Sequence, residues 1–323
     1  MVKAWLRALC CWCVVFPVSA NYLEHPEVAG FIREMVAEHE FDQASLEQLF
    51  AQAEKKQSIL DAIARPAEKR LEWKGYRKIF LTEDRIAKGR AFVKEHAETL
   101  ARAERELGVP PHIIAAIIGV ETRYGRHKGS YRVIDALSTL AFDYPPRSKF
   151  FRKELAQALL LAREQGFEPL ALKGSYAGAM GYGQFIPSSY RHYAIDFDGD
   201  KVADILDNPV DAIGSVANYF KQHKWRSGEA VAMPVSVQGK KYEGVLHDSL
   251  KLKHRVADLR AAGVTVPKGV ADDKQAKLLA LQGAEGLETW LALHNFYVIT
   301  RYNHSHLYAM AVHQLSQEIA SAP

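Results

Sequence analysis

The segment VPPHIIAAIIGVETRYG, residues 109–125, restricts the fold more than any other part of this chain. Pro110 and Pro111 end the helix that precedes them, and Pro111 suits the first turn of the next, where proline's missing N–H has no intrahelical partner. The spacing predicts a helix from about His112 to Tyr124. Ile113, Ile114, Ile117 and Ile118 fall on one face of it, and Glu121 shares that face, because side chains three and four apart overlie one another. An apolar face of this kind requires a core, and it carries a carboxyl group with it. Desolvation raises the pKa of such a carboxyl, and the negative end of the helix dipole near the C-capping Gly125 acts in the same direction. A glutamic acid kept protonated in this way suits general-acid chemistry. The plainer reading pairs Glu121 with Arg123 or Arg126 at an ordinary helix end.

The rest of the chain arranges itself around that helix. From His25 to Leu107 the sequence is polar and helical, with Phe92, His96, Leu100, Ala103 and Leu107 on one stripe, as core positions should be. Residues 21–107 therefore read as a helical domain and 108–229 as a core bearing the chemistry. From Glu229 to Val245 the period changes to two, with Val231, Met233, Val235 and Val237 alternating against Ala230, Ala232, Pro234 and Ser236, and Gly239-Lys240 supplies a turn. Residues 230–295 thus read as a small β-containing insert. Helix returns over Ser305 to Ala320, with Tyr308, Val312, Leu315 and Ile319 on one face, so residues 296–323 rejoin the core. The fold class expected is α+β, mainly α.

Residues 1–20, MVKAWLRALCCWCVVFPVSA, place Lys3 and Arg7 ahead of an apolar run and end in the small-residue pattern Val18-Ser19-Ala20. This is the pattern of a cleaved export signal. The run falls short of the roughly 20 residues that span a bilayer, so no transmembrane helix is expected in the mature chain. Cys10, Cys11 and Cys13 all lie in this stretch, which leaves no disulfide framework after cleavage. Lipid attachment is disfavoured, because Leu9, Cys10 and Trp12 precede the three cysteines where a small residue is usual. Lys3 and Arg7 supply two of the four charges in the formal net charge of +4, and the remainder is too weak to imply a nucleic-acid partner. A soluble monomer outside the cytoplasm is expected.

Two further stretches carry chemistry. GSYAGAMGYGQFIPSS, residues 174–189, has glycines that let a backbone approach a ligand closely, or simply a tight crossing of helices; it lacks the terminal lysine of a phosphate loop. In DFDGDKVAD, Asp196, Asp198 and Asp200 alternate like the first ligands of a calcium loop. Lys201 occupies the usual glycine position and Asp207 stands where a glutamate normally closes the loop, which argues against an ordinary sensor hand. The competing reading is an acidic solvated turn. His304 and His306 lack a third neighbour in sequence and make a poor case for zinc.

Taken together, ETRYG, SYAGAMGYGQFIPSSY, DFDGD, DAIGSVANYF and NFYVITRYNHSHLYAMAV, in this order between Trp73 and Gln317, resemble the lytic murein transglycosylase B family. The resemblance implies a lysozyme-like catalytic core flanked by a helical N-terminal domain and a small inserted β-domain. It implies periplasmic cleavage of the β-1,4 MurNAc–GlcNAc bond of peptidoglycan without water, leaving 1,6-anhydromuramic ends. Glu121 would be the sole catalytic acid and base. Tyr76, Ser175, Gln184, Tyr219, Tyr302, Asn303 and Tyr308 would line the sugar cleft. Arg147 would meet the stem peptide where the family often has two arginines and this chain has Pro146-Arg147. A structural Ca2+ would be held by Asp196, Asp198, Asp200, the Val202 carbonyl and Asp211, with no cofactor for the chemistry. One extra residue before Asp211 leaves Asp204 and Asp207 as rival closing ligands. Other cell-wall enzymes are possible partners. A hydrolytic muramidase on the same fold and a non-catalytic peptidoglycan-binding scaffold are the alternatives. Replacing Tyr302 or Tyr308 by alanine is expected to lower activity with little change in melting temperature.

Overall fold

A computed structural model describes residues 21–64 and 71–321. The export-signal reading of residues 1–20, with Cys10, Cys11 and Cys13, lies outside the described residues. Helices α1 (Val28–His39), α2 (Gln43–Phe50) and α3 (Gln57–Ala64) come first, followed by α4 (Trp73–Phe80), α5 (Glu83–Glu95), α6 (Ala97–Leu107) and α7 (Pro111–Thr122). Strand β1 (Tyr131–Arg132) leads into α8 (Val133–Phe142) and α9 (Ser148–Gln165), and pairs antiparallel with β2 (Lys173–Gly174). Next come α10 (Pro187–Tyr193) and α11 (Pro209–Gln222).

The insert holds β3 (Ala232–Pro234), β4 (Ser236–Val237), β5 (His254–Arg255), α12 (Val256–Ala261), β6 (Val264–Thr265), β7 (Gln275–Gln282) and β8 (Leu287–Ala292). Its four-stranded sheet runs β3-β8-β7-β5, with Met233 and Leu278 both opposite Leu291, while β4 pairs with β6. Met233, Val235 and Val237 pack together against Val256, Leu259, Val264 and Leu278, as a period of two requires. The chain closes with α13 (His294–Tyr302) and α14 (His306–Ala320). Among the described residues no helix is long and apolar enough to cross a membrane.

Two large cores organise the helices, and the boundary expected at residue 107 does not follow them. Residues of α1, α2 and α3 share a core with α8, α9, Met180 and Phe185. Residues of α4, α5 and α6 instead share one with α7, α11, α13 and α14. The stripe from Phe92 to Leu107 is also two helices rather than one. His96, at φ −107° and ψ 26°, ends α5 and begins α6. Phe92, Leu100 and Ala103 still face one core, because a one-residue break leaves the apolar period nearly in phase, and periodicity alone does not register it.

Candidate active site

Helix α7 begins at Pro111 and ends at Thr122, and every residue from Ile113 to Val120 is buried. Its end is abrupt: Arg123, Tyr124 and Gly125 all take left-handed backbone conformations, with φ of 51°, 61° and 83°. The Thr122 hydroxyl accepts the Gly125 amide at 2.9 Å and lies 2.9 Å from the Tyr182 carbonyl, which joins the helix end to the glycine-rich loop. Tyr124 folds back, its hydroxyl donating to the Arg85 carbonyl at 2.9 Å. These anchors fix the backbone at Glu121 from both sides. Neither Thr122 nor Tyr124 stood out in the sequence reading, although both lie inside ETRYG; a hydroxyl directly after the acid was the available signal.

Glu121 is partly exposed, and its Oε1 accepts a 2.5 Å hydrogen bond from the Tyr308 hydroxyl. Tyr308 is 2% exposed. It reaches this position because Ser305 caps α14, accepting the Tyr308 amide at 3.3 Å, so the ring stands in the first turn. Tyr302 ends α13 and packs against both large cores. Its hydroxyl donates to the Gly183 carbonyl at 2.6 Å. A Cβ on Gly183 would come within 2.7 Å of that same hydroxyl, so the glycine is used for a close internal approach. Tyr219 lies 4.7 Å from Tyr302 ring to ring, and its hydroxyl donates to the Arg301 carbonyl at 2.6 Å.

Electrostatics follow from this packing. Burial, and after it the charge of Glu121, push the Tyr302 and Tyr308 phenols well above their ordinary pKa. Both therefore remain neutral donors at any working pH. A carboxylate beside two such hydroxyls raises them by being charged.

The other expected cleft residues divide into two groups. Tyr76 of α4 is 2% exposed in the same core as Tyr308 and contributes to that phenol's raised pKa. Asn303 follows α13 directly, its carbonyl accepting the Ser305 amide at 2.7 Å. The side chains of Ser175 and Gln184 build the glycine-rich loop itself. Ser175 Oγ accepts the amides of Ala177 and Ala179, and Gln184 Nε2 donates to the carbonyls of Lys128 and Gly181 at 3.1 and 3.0 Å. Arg147 is exposed and lies over the rings of Phe150 and Phe151, at 4.4 and 5.1 Å, at the start of α9.

At the acidic loop, Asp196, Asp198, Asp200 and Asp211 bring carboxylate oxygens within 4.8 Å of one another. Asp211 is the residue from α11 that joins the three alternating aspartates. Asp204 instead accepts the amides of Leu206 and Asp207, and Asp207 pairs with Lys128 at 2.6 Å. Burial raises the Asp211 pKa, and the charge of Asp198 adds to it, against the amides of Phe197 and Asp204 that donate to it. Lys201 holds φ 78° where a calcium loop usually has glycine, and its amide donates to Asp196 at 2.8 Å. Four carboxylates this close, with amides already orienting them, are a donor set suited to a hard cation. His306 belongs elsewhere, against the β-insert, and among the described residues no group of three metal-binding side chains includes it.

Residues 23–317 match the family described as the transglycosylase SLT domain. The chain is 44% identical over 317 residues to membrane-bound lytic murein transglycosylase B of Escherichia coli (strain K12), covering 95% of this chain and 86% of that protein. Soluble lytic transglycosylase SltB1 of Pseudomonas aeruginosa superposes with a TM-score of 0.89 at 54% identity, over 91% of this chain and 98% of that one. The Escherichia coli lytic transglycosylase Slt35 in complex with calcium gives 0.84 at 46% identity, over 92% and 93%. Since these matches take in the Glu121 helix, the glycine-rich loop, the acidic loop and both closing helices, the chain belongs to the lytic transglycosylases of the SLT-domain family.

Proposed function

We propose that this lytic transglycosylase cleaves the MurNAc–GlcNAc bond of peptidoglycan with Glu121 as its only acid and base. The observation that carries the reading is the 2.5 Å hydrogen bond from Tyr308 to Glu121 Oε1, made by a buried phenol that stays neutral. It fixes the orientation of the carboxyl group at the end of α7. In the first step Glu121 gives its proton to the glycosidic oxygen and the bond from that oxygen to the muramic C1 breaks. The substrate's acetamido oxygen supports the cationic C1. In the second step the Glu121 carboxylate takes the proton of the C6 hydroxyl as its oxygen bonds to C1, which closes the 1,6-anhydro ring and restores the acid.

A hydrolytic muramidase needs a second group to activate water or to form a covalent ester. The phenols set around Glu121 are held in their donor form by burial, and a phenol so held is no base. The peptidoglycan-binding scaffold reading gives no role to an acid oriented in this way. Tyr302 and Asn303, both half-buried, would form the wall of the glycan cleft, with Tyr219 and Tyr76 buried behind them, tyrosine offering a flat apolar face with a polar rim. Arg147 would act further out, on charged stem peptides.

Asp196, Asp198, Asp200, the Val202 carbonyl and Asp211 would hold a structural Ca2+, a reading supported by the carboxylate cluster and by the calcium complex of Slt35. The ion takes no part in the chemistry. Residues 1–20 would direct export to the periplasm, where the substrate lies.

Mass spectrometry of muropeptides released from purified sacculi tests the reaction. Anhydro ends are expected from the parent. Products heavier by one water would establish hydrolysis instead. Glu121→Gln keeps the shape without the transferable proton and is expected to lower release about 100-fold or more, with sacculus binding retained.

A further inference from the structure

Helix α14 presents two histidines to the β-insert, His306 and His313, two turns apart and so on one face. His313 is 5% exposed, its ring lies edge-on to Trp290 of β8 at 6.0 Å, and its Nε2 is buried without a hydrogen-bond partner. His112 of α7 and the Ala232 backbone of β3 also face it. His306 Nε2 is likewise buried and unpartnered, facing Lys277 of β7 and His247, Asp248 and Ser249 of the 246–253 segment. Lys277 is itself only 1% exposed, and its ammonium meets His247 Nδ1 at 3.0 Å and the His247 carbonyl. Lys253 and His254 stand beyond His247, and Glu104 beyond His112. The seam thus holds a buried lysine and several imidazoles with Asp248 and Glu104 as its acidic neighbours.

We propose that His306 and His313 are positioning residues of a proton-sensitive seam, which seats α14 on the β-insert and so holds Tyr308 on Glu121 only while both rings are neutral. The inference rests on the roles of Glu121 and Tyr308 given above. Tyr308 lies two residues after His306, in the first turn of the same helix, so whatever displaces the start of α14 displaces that hydroxyl. A proton on His306 would stand beside the Lys277 ammonium and the N-terminal amides of α14, both positive. A proton on His313 would be buried against an indole and His112.

Burial, and for His306 the nearby Lys277, lower both imidazoles to about 4. The sign follows from linkage: a depressed folded-state pKa contributes stability that is fully present above the ordinary 6.5 and is lost as pH falls toward 4. Each histidine that regains an ordinary pKa on opening shifts the balance toward the open seam by roughly 30-fold at pH 5.

The test compares the parent with His306→Gln and His313→Gln on sacculi at about pH 5 and about pH 7.5, spanning the ordinary range of histidine. The parent should lose kcat on acidification with KM nearly constant, and each variant should reduce that loss by about threefold or more. An identical acid loss in both variants would overturn the proposal. Should the variants fail to fold, 13C-histidine labelling of the unmodified protein decides: the two rings are expected to stay neutral until activity falls, and rings that protonate near their ordinary pKa while activity persists would sink it. Tyr308→Phe with full activity at neutral pH would reject the role of Tyr308 separately, and Glu121→Gln with retained release would reject that of Glu121, whatever the histidines do.

Discussion

The Tyr308 hydroxyl, one atom on a buried ring, separates two kinds of contribution to the site. Its hydrogen bond to Glu121 is made to an ionisable group and is worth about 1.5–3 kcal/mol, whereas the ring fills a core. Tyr308→Phe removes only the first. It is expected to lower kcat on sacculi by about tenfold or more, with a small change in melting temperature, and parental turnover would show that the contact does not serve the reaction. Alanine is a different experiment. Tyr308 is 2% exposed, so truncating it leaves a cavity and costs about 3–5 kcal/mol, whereas the half-buried Tyr302 packs against both cores and its truncation costs less. The expectation that the alanine variant keeps its melting temperature therefore does not survive the burial of Tyr308. The place of Glu121 at the end of an apolar helix was legible because helical geometry acts within one segment. The approach of Tyr302 and Tyr308 was legible only through family resemblance, since local periodicity carries no information on which distant helix meets α7.

Helix α7 has a second constraint that the isoleucine pattern hides. Gly119 faces Tyr124, and a Cβ there would stand 2.5 Å from its hydroxyl and 2.6 Å from the ring carbon bearing it. Because Tyr124 is anchored to the Arg85 carbonyl, its ring has little freedom to yield. Gly119→Ala, ordinarily favourable in a helix, is expected to destabilise by about 1–3 kcal/mol through overpacking. Activity should fall as well, because the displaced turn carries Glu121. Calorimetry beside Tyr124→Phe checks the mechanism: most of the loss should be recovered in the double variant, and no recovery would place the strain elsewhere. At this scale the sequence was readable where one period governs one element. The start of α7, the return of helix at Ser305 and the alternation over Met233 to Val237 all belong to that class. Strands β7 and β8 do not. Residues 276–279 of β7 are all buried, and a strand covered on both faces loses the alternation by which strands are recognised.

Across the whole molecule, some segments contribute side chains to both large cores. Residues 190–220 are one such segment: Phe197, Ile213 and Phe220 enter the core of α7, while Tyr190, Ile205 and Tyr219 enter the core of α8 and α9. The acidic loop sits within this crossing. Arg102 of α6 lies 3.6 Å over the Phe197 ring, and Asp211 binds the Phe197 amide at 2.6 Å and the Asp204 amide at 2.8 Å. A Ca2+ held by Asp196, Asp198, Asp200 and Asp211 would therefore tie both cores at a point well along the chain from Glu121. Without it four neighbouring carboxylates repel one another. Since only the folded loop presents them together, saturating calcium should add about 2–3 kcal/mol by mass action, which for a chain of this size raises the melting temperature by several degrees. Melting curves with calcium and with chelator should separate for the parent and coincide for Asp198→Ala. Turnover on sacculi well below the melting temperature should be nearly equal in the two conditions, because Glu121 and Tyr308 need no metal for proton transfer. Coincident curves for the parent would remove the ion from the loop, and a large loss of turnover at constant fold would bring it into the cleft.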